Sequence, residues 1–375
     1  MDKVSFFSAD FRDGRVHIGG KTYPAGTFAT HLLNQYYVND TAARLSVFIQ
    51  SNWRVAETLS IGFLNLDDYM KAGKEIQHIL KTLPMLQPFS MLPIDEERNR
   101  TAELFTEENG KQISEYFHRR AKVELTDDHE AALNLLPKEY DKDFFKASEK
   151  LIADVTSTLA FYESIGNDVT DAFQNLRKFA SRVDEAARLD EAHLLPIALE
   201  IFRQQPFPVK TEYVPVRKTR SSKDFVTARR LYFESYYSFV VTDFFEGLHA
   251  GHYPRQCGIC KKYFLMQSAV RQKYCSGFAP VQLKGKPITC RKLAARQKRK
   301  ETAEANPIIR IYKNRCSVIR VEKMRGTITA PLADAAFALA FEHMKMANSD
   351  DHYAAAQYEA DMSHDKLYDD TGLRK

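Results

Sequence analysis

The sequence predicts a mainly α-helical protein: a helical N-terminal domain with one small β-hairpin, then a C-terminal four-cysteine module (knuckle, hairpin, helix) and trailing helices. Three observations lead there. Long segments space their apolar residues three and four apart, the period of an amphipathic helix. Two short alternating runs near the start are separated by Gly19 and Gly20, a hairpin signal. Four of the five cysteines fall within 34 residues, from Cys257 to Cys290. With 44% hydrophobic and 27% charged residues, the composition is that of an ordinary globular chain, which excludes disordered, collagen-like and low-complexity classes. No run of about 18 apolar residues occurs, so no membrane-spanning helix is expected. The start, MDKVSFFSADFRDG, has no basic segment leading into an apolar stretch, so a cytoplasmic protein is expected.

Taken in chain order, RVHIGGKTYP reads as the hairpin. LDDYMKAGKEIQHILKTL begins acidic and ends basic, as a helix prefers. KDFFKASEKLIADVTSTLAFYESI and DVTDAFQNLRKFASRVDEAARL are two further helical candidates. Pro206, Pro208 and Pro215 mark QQPFPVKTEYVPVRKTRSSKD as a boundary, in which KTEYVPV can pair as an edge strand. An aromatic-rich helix is expected from about Lys223 to Leu248, with Tyr232, Phe233, Tyr236, Tyr237, Phe239, Phe244 and Phe245 in the core. The expected division is therefore a variable helical domain at 1–205, a linker at 206–222, a helix plus basic metal-binding module at 223–326, and C-terminal helices with an acidic tail at 327–375. In that last part Pro331 opens one helix, Ser349 is expected to cap another, and the acidic end is expected to fray.

Charge is concentrated. Residues 251–325 hold 19 Lys/Arg and 3 Asp/Glu, whereas 1–250 hold 31 and 37, and 326–375 hold 4 and 9. One segment thus carries the excess behind the net +5. A basic segment in an otherwise acidic chain points to a polyanion, most often nucleic acid. The alternative is a solvated face balanced by the chain's own acids, and the acidic tail is one shield for it.

The cysteines lie in that segment. Cys257 and Cys260 form a C-x2-C pair, and Cys275 and Cys290 follow at intervals of 14 residues. Two residues between thiolates let a tight turn aim both at one tetrahedral metal, and two distant cysteines can close the shell. A disulfide is disfavoured in a cytoplasmic chain, and no βαβ setting supports a thioredoxin-like redox pair. The expectation is structural Zn2+ held by Cys257, Cys260, Cys275 and Cys290, with an iron–sulfur cluster as the lesser alternative. His252 is read as a loop residue and Cys316 as a small core residue. Four thiolates leave no open position for water or substrate, so the metal would supply folding energy.

Around these ligands, KKYFLMQ is a plausible strand and SGFAPVQLKGKPIT reads as a Gly/Pro-rich loop. Thr289 then precedes Cys290 and the helical run RKLAARQKRKETAEA. Lys292, Arg296 and Arg299 share one face of that helix, and Lys298 and Lys300 widen it. Asn306 and Pro307 open a second helix, whose stripe of Ile308, Tyr312, Cys316 and Ile319 is core. Its Arg310 and Lys313 can extend a phosphate-contacting surface.

CGICKKYF, RQKYCSG and TCRKLAAR together resemble the metal-binding part of an uncharacterised bacterial family, over about residues 210–370. That resemblance implies no activity. The segment is more loosely similar to the CGNR-type zinc fingers of bacterial transcription regulators, through Phe264, Arg271, Lys273, Cys275, Ser276 and Cys290. It departs from them in having CRKL in place of CGNR and a wider spacing of the last two cysteines. This second resemblance implies DNA binding.

No HExxH, P-loop, GxSxG or Rossmann glycine pattern occurs, so no enzyme is expected. A metal-dependent nuclease would need carboxylates near the basic segment. Those available are Asp243, Glu246, Glu301, Glu304 and Glu322, while acidic pairs such as Asp127–Asp128 read as helix starts. The leading expectation is a DNA-binding regulator whose residues 1–205 engage a protein partner. The alternatives are an adaptor in which zinc is only a staple and, below it, an RNA-binding protein or a nuclease.

Overall fold

The computed structural model describes residues 2–38, 45, 54–124, 141–202, 208–217, 222–267 and 272–374. Pro206, Arg271 and the Asp127–Asp128 pair fall outside them, as does the side chain of Glu304. The chain divides into two compact units, Met1–Lys273 and Tyr274–Lys375.

The first unit is built on a five-stranded antiparallel sheet of order β3-β2-β1-β5-β4. The expected hairpin is present as β2 (Arg15–Ile18) and β3 (Lys21–Pro24), which pair beside β1 (Phe7–Arg12). β4 (Lys210–Arg217) is the expected edge strand. The helix expected from Lys223 is instead β5 (Phe225–Phe233) followed by a shorter helix. β1 offers its free edge, and β5 fills it with Phe7 opposite Phe233 and Asp10 opposite Arg230. Non-local pairing overrides the local helical pattern. For the same reason 206–222 does not act as a linker throughout, because residues 210–217 are strand.

One sheet face is apolar. Phe7, Phe11, Val16, Ile18 and Phe233 are buried there against α1 (Thr27–Gln35) and α7 (Tyr236–His249). Phe28, Phe233 and Phe7 converge on Phe239, with ring centroids 5.0–5.3 Å apart. Of the aromatics expected in the core, Phe233, Tyr236, Phe239 and Phe244 are buried. Tyr237 and Phe245 are only partly buried and pack against the edge of the core, and Tyr232 lies on the other face, stacked on Phe6.

Helices complete this unit: α2 (Leu66–Thr82), α3 (Ile94–Leu104), α4 (Glu107–Glu124), α5 (Lys142–Arg182) and α6 (Glu191–Phe202). The two helices expected within 142–189 are one α5 of 41 residues. Its buried stripe runs through Tyr162, Ile165, Val169 and Phe173 without a phase break. Gly166 is therefore a tolerated interior glycine and not a stop.

α7 is fastened to α1 from within. Ser235 caps α7, accepting from the Ser238 N–H at 3.0 Å. Asp243, fully buried on α7, accepts hydrogen bonds from the backbone N–H groups of Gly26, Phe28 and Ala29 at 2.9, 2.8 and 3.0 Å. These are the donors that the first turn of α1 leaves unpaired. Burial pushes the Asp243 carboxyl up to about 7, and those N–H groups pull the other way by stabilising the anion. Gly247 lets the backbones touch: a Cβ there would meet Gly26 N at 2.8 Å and Ala25 C and O at 2.9 Å.

The second unit starts with a hairpin, β8 (Phe278–Leu283) and β9 (Lys286–Thr289), where a loop was expected. Lys284 and Gly285 both have positive φ, 50° and 73°, as a two-residue type I′ turn requires. α8 (Cys290–Ala305) follows, capped by Thr289. Asn306 caps α9 (Pro307–Arg325) as expected, and Gly326 ends it in the left-handed region. α10 (Ala330–Ser349) packs on α9 through small residues, Ala333, Ala336 and Ala340, against Ile319.

The acidic end is docked and not frayed. Asp350, in place of Ser349, caps α11 (Asp351–Ala356), accepting from His352 and Tyr353 N–H groups. In α12 (Tyr358–Asp361), α13 (His364–Asp369) and the turn between them, Tyr358, Met362, Leu367 and Tyr368 are buried. Tyr358 donates to the Ile308 carbonyl at 2.9 Å, and Arg315 to that of Met362 at 2.6 Å.

Replacing Asp243 with Ala leaves three buried N–H groups without an acceptor and should destabilise the first unit by about 3 kcal/mol. Gly247→Ala should destabilise it comparably by forcing α7 away from α1. Urea unfolding followed by circular dichroism checks both; the conservative exposed change Lys74→Arg should cost less than about 0.5 kcal/mol.

Candidate metal centre and basic surface

Local backbone geometry presents each cysteine. β6 (Tyr253–Gln256) and β7 (Tyr263–Met266) form a short antiparallel hairpin, with Cys257 and Cys260 in its turn. Cys257 N–H donates to the Lys262 carbonyl at 2.9 Å, Lys261 N–H returns to the Cys257 carbonyl at 3.0 Å, and Lys261 has φ 61°. This is a tight knuckle that leaves both thiols on its inner side. Gly258 N–H donates to the Lys273 carbonyl at 3.1 Å, drawing the following segment back to the turn.

The β8–β9 hairpin positions the second pair. Its ends meet at Phe278 and Thr289, and Cys290 N–H donates to the Gly277 carbonyl at 2.9 Å. Cys290 is therefore returned to the neighbourhood of Cys275 and is also the first residue of α8. The sulfurs of Cys257, Cys260, Cys275 and Cys290 all lie within 4.8 Å of one another. Cys257 and Cys290 are fully buried, and Cys260 and Cys275 partly so.

This arrangement can hold a metal ion. Four sulfurs about 2.3 Å from a tetrahedral metal are about 3.8 Å apart, so only small side-chain adjustment is needed. Thiolates are soft donors, suited to zinc or to an iron–sulfur cluster. Four thiolates on a divalent ion carry a net −2, and Lys261, Lys262, Lys273 and Arg291 lie beside the ligands in the chain. The N-terminus of α8 favours a negative sulfur at Cys290 as well.

The other histidines and cysteine near the motif are accounted for. His252 Nδ1 lies 3.2 Å from the Ala25 carbonyl, and His249 pairs with Glu191 at 3.0 Å. Cys316 is buried on α9. Two carboxylates considered for a hydrolytic metal are also committed: Asp243 to the start of α1 and Glu246 to Arg229.

On α8 the side chains of Lys292, Arg296, Lys298, Arg299 and Lys300 are all exposed, as are those of Arg310 and Lys313 on α9. Among the described residues Lys292, Arg296, Lys298 and Arg299 have no ion-pair partner, and Arg291 Nε reaches the Tyr274 carbonyl at 3.3 Å. Lys284 and Lys286 add exposed charge at the hairpin turn. The C-terminal acids pair elsewhere: Asp365 and Asp369 with Arg374, Asp361 with Lys366. A tail laid over the basic residues of α8 is thus not what these pairs describe. No described helix is long and apolar enough to cross a membrane.

Residues 204–374 match the model of a family of unknown function, DUF6076, which contains the whole of the cysteine cluster and the basic helices. Comparison with curated proteins and with solved structures gives no match.

Metal analysis of the purified chain should give about one tetrahedral ion per molecule. Cys257→Ser and Cys290→Ser should each lower metal content and expose α8 to proteolysis. Cys316→Ser should leave the metal in place.

Proposed function

We propose that this is a nucleic-acid-binding protein, a DNA-binding regulator, in which structural zinc fixes α8 and the β8–β9 hairpin as a basic contact surface. The observation that carries the reading is that α8 begins at one of the clustered cysteines, Cys290, and exposes Lys292, Arg296, Lys298 and Arg299 without carboxylate partners. A helix is normally held by the apolar stripe it buries, but α8 buries little beyond Cys290 and Ala294. Its orientation is better explained by anchorage at the metal, and its sequence by phosphate. Arg310 and Lys313 on α9 are the outer contacts.

The sequence resemblance to CGNR-type fingers, carried by Phe264, Arg271, Lys273, Cys275, Ser276 and Cys290, favours the same reading. Residues 1–205 are left to sense or to engage a protein partner. The reading places the chain in the cytoplasm, where thiols stay reduced and available to zinc. It assigns no catalytic residue.

Fluorescence anisotropy of the zinc-loaded protein on duplex DNA tests it. About five neutralised phosphates give a slope near −4.5 for log affinity against log salt. Arg296→Glu should weaken binding at least about tenfold, and Cys290→Ser should abolish it. Single-stranded RNA should compete less well than duplex DNA. A flat salt response with zinc confirmed would sink the reading in favour of an adaptor. Val318, Val321 and Met324, exposed at intervals of three on α9, would then be the first surface to examine for a protein partner.

A further inference from the structure

The sheet of the first unit leaves its second face open, and that face holds a cavity remote in sequence from the cysteines. The β1–β5 register ends at Phe11 and Arg229, but β4 and β5 run on together to Arg217 opposite Phe225. The overhang and the β1–β2–β3 meander border a half-open cavity of about 920 Å³. Small-molecule sites commonly measure about 300–1,000 Å³. Arg12, Arg15 and His17 line it on one side, and Arg217, Phe225 and Ala228 on the other.

The charges here are unequally used. Asp10 is held by Arg230 through two contacts, at 2.7 and 3.1 Å, and Asp13 by Arg12 at 2.9 Å. Both acids at the cavity are therefore neutralised. Arg15 and Arg217 are exposed, and among the described residues neither has an ion-pair partner. Two guanidinium groups with unused donors, in a concave site whose carboxylates are already paired, favour an anion with several oxygens; the planar fork suits phosphate. The floor is small and apolar at Ala228, which is buried. At the rim the aromatic residue Phe225 is 62% exposed. A flat heteroaromatic group gains by lying on such a ring.

We propose that this cavity binds a mononucleotide, with Arg15 and Arg217 on the phosphates and the base against Phe225. The site is independent of the metal cluster and of α8. It would give the first unit a soluble ligand of its own.

Titration of full-length, zinc-loaded protein with a methylanthraniloyl-labelled ADP tests this, with unlabelled ADP and pyrophosphate as competitors. The expected result is saturable binding that Arg15→Ala/Arg217→Ala weakens at least about tenfold. Lys292→Ala/Arg296→Ala/Arg299→Ala, which removes the charge of α8, should leave it unchanged. Phe225→Ala should weaken ADP while leaving pyrophosphate competition as it was. Both arginines are exposed, so the double variant should keep the wild-type unfolding midpoint. Were the midpoint to fall, Arg15→Lys/Arg217→Lys keeps the charge, removes the planar fork and should still weaken binding. No binding up to about 1 mM, or loss in the α8 variant but not in the arginine variants, would overturn the proposal. Pyrophosphate competing as well as ADP, with no effect of Phe225→Ala, would overturn it too. DNA binding is tested through Arg296→Glu and Cys290→Ser and nucleotide binding through Arg15, Arg217 and Phe225, so the two readings can fail separately.

Discussion

A single carboxylate ties the beginning of this chain to the helix that leads into the cysteine motif. Asp243 projects from α7 into the start of α1, more than 200 residues earlier, and satisfies three backbone N–H groups there. An isolated buried carboxylate is costly, and three hydrogen bonds at a positive helix terminus offset part of that cost. The contact requires α7 to approach to backbone distance, which is why Gly247 carries no side chain. Once α1 and α7 are locked, β1 and β5 are adjacent and Phe239 is fixed among Phe7, Phe28 and Phe233. The β6–β7 knuckle follows α7 after only three residues, so its position derives from the same lock.

The cysteine segment is organised by a different economy. Among the described residues between β7 and the end of α8, few side chains are buried: Met266, Cys290 and Ala294. So little apolar area cannot by itself offset the entropy of ordering a hairpin and a helix. Cross-linking by a metal can, because ligand binding energy is spent directly on folding. A helix anchored in that way could display charge on nearly every face, as α8 does. A helix that need not bury an apolar stripe is free to be basic all round.

The cluster was legible in the sequence because ligand identity and spacing are local properties. C-x2-C specifies a turn, and Thr289 before Cys290 specifies a capped helix start, whatever surrounds them. Asn306, Pro307 and Gly326 are read the same way, each through its own backbone preference. What could not be read were features whose cause lies far along the chain. FVTARRLYF carries enough apolar and aromatic residues to pass as part of a helix, and becomes β5 only because β1 has an edge to fill. Ser235, a good N-cap, was the one local signal that the helix starts later. Asp243 looked like an available carboxylate near a basic segment. SGFAPVQLKGKPIT reads as loop because of its glycines and prolines, and the type I′ turn at Lys284–Gly285 is hidden because a lysine seldom adopts the positive φ it demands.

The sequence by itself thus determined the clustering of four cysteines, the basic character of α8, the N-terminal hairpin and the start and stop of α9, because each is set by residues within one or two turns. Only the tertiary structure decided the five-stranded sheet, the burial of Asp243, the docking of the C-terminal helices on α9 and the arginine-lined cavity. Each of these arises from strands or side chains distant in the chain, and their pairing is chosen by the burial and hydrogen bonding of the whole unit and not by any local preference.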